Sequence, residues 1–251
     1  MRTDILDLHQ FYASPLGSLC RELIAARLKN RMTDTGQARI AGFGHTEPYL
    51  SDIQGAERVL ALDPGGQGVI HWPAGERNRA ALVENARWPL PDASIDCLLI
   101  AHGLEEADDP RKLMREAWRV LTDSGCVIIV AAHRRGIWST IDTTPFAAGR
   151  PYLKRQLEIL LRETMFEPQF WNGALHFPPF GARFLLRAAP AWERAGAKLW
   201  PGFAGVILVE ATKSMALPVA QVAVQRASRT TPIAARPALN NGSPRLSLIH
   251  I

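Results

Sequence analysis

The segment Gly42-Phe43-Gly44 is the first feature of the sequence whose residue types could bind a ligand. It follows a short apolar run, and a glycine-rich turn after a strand lets the backbone approach a bound molecule closely. A dinucleotide-binding turn would carry a third glycine at position 47, where this chain has Glu47, and the sequence contains no Walker-type phosphate loop. The turn therefore favours a ligand other than NAD, with an ordinary strand-to-helix turn as the alternative.

Asp63 is the second candidate, because it ends another apolar run 21 residues after Gly42. A carboxylate at this place in a nucleotide-binding sheet can accept hydrogen bonds from both ribose hydroxyls. The alternative is an Asp that initiates a turn before Pro64-Gly65-Gly66. Glu84 and Asn85 follow a third, weaker run, and they either contact the same ligand or lie in a solvated loop.

Apolar runs and helical periodicity predict the elements that would position these residues. Strands are predicted at 38–41, 58–63, 80–84, 95–101, 126–132, 167–174 and 203–211. Helices are predicted at 14–31, from Asp109-Pro110 to Leu121 and at 153–161. Segment 180–200 is interpreted as a core helix, with a lid or a surface for a membrane or a partner as the alternatives. Strands that alternate with helices in this way favour an α/β fold with a parallel, doubly wound, Rossmann-like sheet.

The predicted sheet brings the candidate residues to one rim, because ligands of doubly wound sheets bind beyond the carboxyl ends of the strands. The segments that follow the predicted strands are Gly42–Gly44, Asp63, Glu84–Asn85, His102–Gly103 and His133–Arg135. We therefore expect one ligand site to draw on several of these segments.

Several short motifs also occur in a fixed order in the middle of the chain. They are Trp88-Pro89-Leu90-Pro91-Asp92-Ala93-Ser94-Ile95-Asp96, His102-Gly103-Leu104-Glu105, Asp108-Asp109-Pro110 and Glu116-Ala117-Trp118-Arg119-Val120-Leu121 with Gly125. In this order they resemble class I S-adenosylmethionine-dependent methyltransferases with a type 11 methyltransferase domain. The resemblance covers residues 40–132 and implies a mostly parallel class I sheet with an antiparallel last strand.

The resemblance implies S-adenosylmethionine as the cofactor, and it implies a role for each residue of the rim. The backbone of Gly42, Phe43 and Gly44 would pass beside the methionine part, Asp63 would bind the ribose diol, Glu84 and Asn85 would contact adenine, and His102 would lie beside the sulfonium. The chain departs from the family pattern at Ala41, where an acid usually helps to hold the amino end of the cofactor. Thr46 and Ser124 likewise stand where glycine is common.

The sequence does not single out a catalytic residue. Methyl transfer from a sulfonium mainly requires alignment of the acceptor, with proton removal where the acceptor needs it. His102 and His133 both lie at the predicted rim, where each could serve as a base or be structural. Glu105 is expected to cap a helix or to pair with Arg119 rather than to act in catalysis.

Basic and aromatic residues after the fifth predicted strand form the candidate acceptor-binding set. Its members are His133, Arg134, Arg135, Trp138, Arg150 and Tyr152. Arginines and aromatic rings around one cleft suit an anionic, partly apolar acceptor. The alternative is that these arginines pair with the first part of the chain, since residues 1–130 carry a net charge of −4 and residues 131–213 a net charge of +5.

Composition limits the class of protein. A hydrophobic fraction of 47% over 251 residues excludes a mostly disordered chain. No stretch approaches the roughly 20 apolar residues of a membrane-spanning helix, and the amino-terminal residues lack the apolar run of a signal peptide. Cys20, Cys97 and Cys126 are too far apart for a disulfide framework or a zinc site, so we expect no metal and a reducing, cytoplasmic location.

We expect residues 1–213 to form one methyltransferase domain, with a cofactor part at 36–132, an acceptor part at 133–213 and a disordered tail at 214–251. The expected function is methyl transfer to a small-molecule acceptor. The alternative is a methyltransferase-fold protein of weak or no activity that works as a partner subunit. Nucleic acid is disfavoured as the acceptor, because residues 1–213 sum to a net charge of only +1.

Overall fold

The computed structural model describes residues 3–32, 36–181 and 183–214, so the tail predicted at 214–251 lies almost entirely outside the described residues. The described strands are β1 (Arg39–Gly44), β2 (Arg58–Pro64), β3 (Ala80–Val83), β4 (Ile95–Ala101), β5 (Leu121–Ala132), β6 (Phe166–Ala174) and β7 (Val206–Lys213). The helices are α1 (Ile5–Ala13), α2 (Pro15–Met32), α3 (Glu47–Leu50), α4 (Pro110–Val120), α5 (Lys154–Glu163) and α6 (Arg183–Leu199).

The seven strands form one sheet in the order β3-β2-β1-β4-β5-β7-β6. The pairings from β3 to β5 are parallel, and β7 pairs antiparallel with both β5 and β6. The predicted α/β fold, mostly parallel with an antiparallel last strand, is therefore confirmed. The strand order reverses between β1 and β4, and ligands of such sheets bind at this switch point.

The sheet is covered on both faces, which explains why its central strands consist of nearly continuous apolar residues. One buried cluster includes Ile24 of α2, Ile40 and Leu99, while the other includes Leu98 and Leu113 of α4. Neighbouring residues of β4 thus enter opposite clusters, as the pleat of a strand requires. The Asp109 side chain caps α4 by accepting the backbone N–H groups of residues 111 and 112, as its position before Pro110 predicts.

The structure differs from the sequence prediction mainly at the amino terminus and before β5. The sequence predicts one helix over 14–31, whereas a separate helix α1 precedes α2 and is capped by the Asp4 side chain. Strand β5 begins at Leu121, ahead of the predicted start at Cys126, and an irregularity separates its first pairing with β4 from the rest. The helix interpretation of segment 180–200 is confirmed by α6.

Candidate cofactor site and neighbouring cavities

The turn after β1 depends on glycine for close packing of backbone on both sides. Gly44 has a φ of +82°, and a Cβ atom there would lie 2.2 Å from the carbonyl oxygen of Ala101. A Cβ atom on Gly42 would lie 1.9 Å from Oγ1 of Thr46. Gly44 therefore lets the ends of β1 and β4 meet, and Gly42 lets the segment leading into α3 fold back on β1. Phe43 is fully buried with its ring stacked on Trp88, so only its backbone can face a ligand.

Three ionisable side chains are buried together at the ends of β1 and β2. Asp63 is fully buried, Glu47 is 4% exposed, and Nδ1 of His45 lies 3.2 Å from Oε2 of Glu47. Neither carboxylate oxygen of Asp63 accepts a hydrogen bond from a donor in the described part of the chain. Burial, together with the neighbouring Glu47 carboxylate, raises the pKa of Asp63 to about 8. Apart from its contact with Glu47, this carboxyl group has oxygens that are suited to receive the hydroxyl groups of a ligand.

Burial also acts on Glu47, but its contact with His45 outweighs that effect and lowers the pKa of Glu47. Of the two acids, Asp63 therefore holds its proton to a higher pH than Glu47 does. The sequence analysis considered Glu47 only because it occupies the position where a dinucleotide-binding turn would have its third glycine. Its burial depends on the way α3 packs, so no local pattern could have revealed it.

His102 lies on the loop after β4, as predicted, in a left-handed backbone conformation with φ of +55°. Nε2 of its ring lies 2.7 Å from the hydroxyl of Tyr12, which is 2.8 Å from the hydroxyl of Tyr49. Burial and the neighbouring His45 lower the pKa of His102 to about 3. The ring is therefore neutral and already hydrogen-bonded, which makes it a poor general base. Tyr12 and Tyr49 were not among the residues predicted from the sequence.

Asn85 and Glu84 differ in their access to the rim. Asn85 lines a cavity of about 10 Å³, a volume that holds about one water molecule, with Pro64, Gly66, Gln67, Gly103 and Glu106. Glu84 is exposed at the end of β3 and forms an isolated backbone bridge with Arg87. Of this pair, Asn85 is thus the residue whose side chain already faces the rim.

Helix α1 closes the rim from above. The backbone N–H of Ile5 donates to the carbonyl of Gln67 (2.8 Å), and that of Thr3 donates to Oε1 of Glu106 (2.9 Å). Tyr12 adds the contact with His102. Gln67 and Glu106 also line the cavity of about 10 Å³, so the amino-terminal segment is bonded to two residues of that lining.

Glu105 does not pair with Arg119, which corrects the sequence expectation. Its Oε1 accepts the backbone N–H of Ala132 at 2.7 Å, and burial raises its pKa to about 7. Arg119 pairs instead with Glu116 and Asp92. The reason is topological, because β4 and β5 are adjacent and the loop after β4 turns Glu105 toward the end of β5, away from α4.

The predicted acceptor residues are divided among different environments. His133 and Arg135 line an open cleft between β5, β6 and α5. Arg134 donates to the carbonyl of Pro151, Tyr152 donates to that of Leu104, and Arg150 is exposed. Trp138 is fully buried, its Nε1 donates to the carbonyl of Phe177 at 2.7 Å, and its ring packs on Phe146. Trp138 is therefore a core residue in this structure, with no surface to offer a ligand.

A second cavity lies directly beside the rim, between α1 and residues 142–149. It has a volume of about 800 Å³ and is lined by Thr3, Asp7, Gln10, Phe11, Ser14, Asp142, Thr143, Thr144, Pro145, Ala147, Ala148 and Gly149. Phe11 packs on Phe146, whose ring centroid lies 5.1 Å from that of His102. The cavity is thus separated from His102 by one aromatic layer, and its ionisable lining residues, Asp7 and Asp142, are both acidic.

The fold and the rim define a class I methyltransferase architecture, and comparison with known proteins agrees with the sequence motifs. Residues 41–129 match the family described as a methyltransferase domain, of type 11. An uncharacterised protein of Mycobacterium tuberculosis, Rv2003c, is 28% identical over 210 residues, which span 80% of this chain and 70% of that protein. The resemblance inferred from the motifs is therefore confirmed.

Solved structures share the fold at low sequence identity. A SAM-dependent methyltransferase from Archaeoglobus fulgidus aligns with a TM-score of 0.59 at 17% identity, covering 83% of this chain and 98% of that one. The [4+2]-cyclase SpnF aligns with a TM-score of 0.54 at 18% identity, covering 77% and 80%. The comparisons support S-adenosylmethionine as the cofactor. Because the fold also occurs in a cyclase, it does not by itself define the reaction.

The helices in the described part of the chain differ from membrane-spanning helices. None of them combines the length and the hydrophobicity that a membrane crossing needs.

Proposed function

We propose that this protein transfers the methyl group of S-adenosylmethionine to a small-molecule acceptor. The observation that carries the proposal is the buried Asp63 carboxyl group at the end of β2, which has no hydrogen-bond donor among the described residues. It lies within the segment that matches the methyltransferase domain family. Buried oxygens that accept no hydrogen bond are costly, so a ligand that supplies two hydroxyl groups would relieve the cost.

The residues at the rim fit the chemistry of the cofactor. Asp63 would accept the ribose hydroxyls, the backbone of Gly42–Gly44 would lie beside the methionine part, and Asn85 would reach the adenine. In related proteins an acid usually stands at the position of Ala41 and helps to hold the amino end of the cofactor. Glu47, a buried carboxyl group with a lowered pKa, would supply the negative charge that is absent there. When bound, the cofactor supplies a methyl group on a sulfonium that needs no further activation.

The acceptor would enter through the cavity between α1 and residues 142–149. This cavity borders the aromatic layer of Phe11 and Phe146 that covers His102. Its volume of about 800 Å³ lies in the range of small-molecule sites, and its lining combines polar side chains with Phe11 and Pro145. The role of the protein is then to align the acceptor and to exclude water, both of which require α1 to close after the cofactor has entered.

Calorimetric titration with S-adenosylmethionine and S-adenosylhomocysteine tests the cofactor site. We expect micromolar binding to the wild-type protein and a loss of at least about tenfold in Asp63→Asn, which keeps the shape but removes the carboxylate. Asp123→Asn is the matched control, since Asp123 is exposed at the start of β5. The affinity of this variant for both nucleosides should equal that of the wild type.

Activity is tested separately, by incubating the protein with methyl-labelled S-adenosylmethionine and fractionated small-molecule extracts. Label transfer that is lost in Asp63→Asn supports the proposal. Cofactor binding without transfer to any fraction would favour another reaction on the same fold. A folded protein that binds neither nucleoside would contradict the proposal and favour the alternative of an inactive partner subunit.

A further inference from the structure

The cleft that contains His133 and Arg135 is separate from the cavity at Asn85 and from the cavity between α1 and residues 142–149. Its volume is about 940 Å³, and none of its lining residues lines either of those cavities. It lies where β5 and β6 end, where β7 begins and where α5 starts. Its lining includes His133, Arg135, Lys154, Arg155, Trp171, Asn172 and His176.

The cleft carries an excess of unpaired positive charge. Arg135, Lys154 and Arg155 are exposed, and within the described ranges none of them has a carboxylate partner within 4.0 Å. The ammonium of Lys154 instead lies 4.9 Å from the centre of the Trp171 ring. The acidic lining residue, Glu158, is already engaged with Arg162 at 3.4 Å. Three cations of one cleft are thus free to pair with a ligand.

Two further groups add directional hydrogen bonds. The ten-residue helix α5 begins in the cleft, and the backbone N–H groups of Lys154 and Arg155, in its first turn, have no acceptor in the described part of the chain. His133 is 93% buried, and its Nδ1 donates to the carbonyl of Ala204 at 3.0 Å. This bond places the ring proton on Nδ1, so Nε2, which bonds to no described residue, is a hydrogen-bond acceptor.

These groups together match a tetrahedral oxyanion on a molecule that also carries a hydroxyl group. The guanidinium groups and the helix amides donate to negatively charged oxygens, and the positive end of α5 favours the same charge. Nε2 of His133 can accept a hydrogen bond from a hydroxyl group of the molecule that carries the oxyanion. A carboxylate would engage fewer of the donors, because it offers two oxygens where a phosphate group offers three.

We propose that this cleft is a binding site for a phosphate group carried by a small molecule, at a place distinct from the cofactor site. The phosphate group is held by Arg135, Lys154, Arg155 and the first turn of α5, and a hydroxyl group of the same molecule donates a hydrogen bond to Nε2 of His133. The inference does not depend on the proposed methyl transfer, because its residues line neither the cavity at Asn85 nor the cavity between α1 and residues 142–149.

Thermal unfolding in increasing concentrations of inorganic phosphate tests the proposal, with ionic strength held constant by sodium chloride. A ligand that binds only the folded state raises the melting temperature along a saturating curve, from which its Kd follows. The test variant is Arg135→Gln with Lys154→Gln and Arg155→Gln. The matched control is Arg77→Gln with Lys29→Gln and Arg115→Gln, which removes the same charges from exposed sites outside the cleft.

We expect saturable stabilisation of the wild-type and control proteins, and a Kd at least about tenfold weaker in the cleft variant. Stabilisation that does not saturate, or that weakens equally in both triple variants, would show an unspecific charge effect and overturn the proposal. The single variants Arg135→Gln and Arg155→Gln give the same comparison if the triple variant does not fold. Titration of each sample with S-adenosylhomocysteine distinguishes this site from the cofactor site. The affinity of the cleft variants for S-adenosylhomocysteine should equal that of the wild type.

Discussion

The hydroxyl oxygen of Tyr12 lies 2.7 Å from Nε2 of His102, so helix α1 is joined to the loop after β4 by a buried hydrogen bond. The same hydroxyl lies 2.8 Å from that of Tyr49 on α3. Burial raises the pKa of both tyrosines and lowers that of His102, so all three groups are neutral at pH 7. The position of α1 over the cofactor rim therefore depends on an uncharged chain of three side chains.

Tyr12→Phe should loosen α1 and destabilise the protein. It leaves His102 and Tyr49 buried without their shared partner, which costs about 1–3 kcal/mol in the free energy of unfolding. Urea denaturation measures this loss, and hydrogen exchange of the α1 amides should become faster. In the control Tyr152→Phe, the lost bond to the carbonyl of Leu104 is long (3.4 Å) and only partly buried, so the effect should be smaller. Equal losses in the two variants would contradict a role of Tyr12 in holding α1.

Glu105→Gln should change how stability depends on pH. The pKa of Glu105 is about 7 in the folded protein and about 4.3 when exposed in the unfolded chain, so between these values the folded state holds the proton more tightly. The free energy of unfolding of the wild type therefore falls as pH rises from about 4.3 to 7. The variant, whose amide oxygen can still accept the Ala132 N–H, should lose this contribution and gain up to about 3 kcal/mol at pH 8, with little change at pH 4.

Urea denaturation across this pH range measures the effect. Glu84→Gln is the control, because it makes the same change of side chain at an exposed position. Parallel pH profiles for the wild type and Glu105→Gln would show that Glu105 does not titrate in this window.

Affinity for S-adenosylhomocysteine should rise with pH as Asp63 ionises. The pKa of Asp63 is raised to about 8, and only the ionised carboxylate can accept hydrogen bonds from both ribose hydroxyls. Binding should therefore strengthen between about pH 6.5 and 8.5. Glu47→Gln removes the adjacent negative charge, so the same rise should occur at lower pH. Calorimetry at a series of pH values checks both, and an affinity that is independent of pH in the wild type would contradict the coupling.

Trp138→Ala should destabilise the core rather than affect a ligand. The side chain is fully buried and donates to the carbonyl of Phe177, so the loss is about 3–5 kcal/mol. Trp192→Ala is the comparison, because Trp192 is 45% exposed and should cost much less. Chemical denaturation of both variants tests this structural role. The acceptor-binding role predicted from the sequence requires an accessible Trp138 ring, so a small loss of stability in Trp138→Ala would favour that role instead.

The sequence alone determined the strands of the sheet and the rim that they form. Apolar runs such as Ile95–Ala101 are local signals, and the order of motifs from Trp88 to Gly125 carries the resemblance to the methyltransferase domain family. The placement of Asp63 and His102 at that rim follows from strand ends alone. These features are predictable because they depend on residue type and spacing within short segments.

The tertiary structure alone decided which side chains share an environment. Glu105 turns to the end of β5, Trp138 enters the core, and Glu47 is buried beside Asp63, although each was interpreted differently from the sequence. The same holds for Arg135 and Arg155, which come from different segments to line one cleft. Burial, charge coupling and pKa depend on neighbours that are distant in the chain, and a single sequence carries no local record of which distant segments pack together.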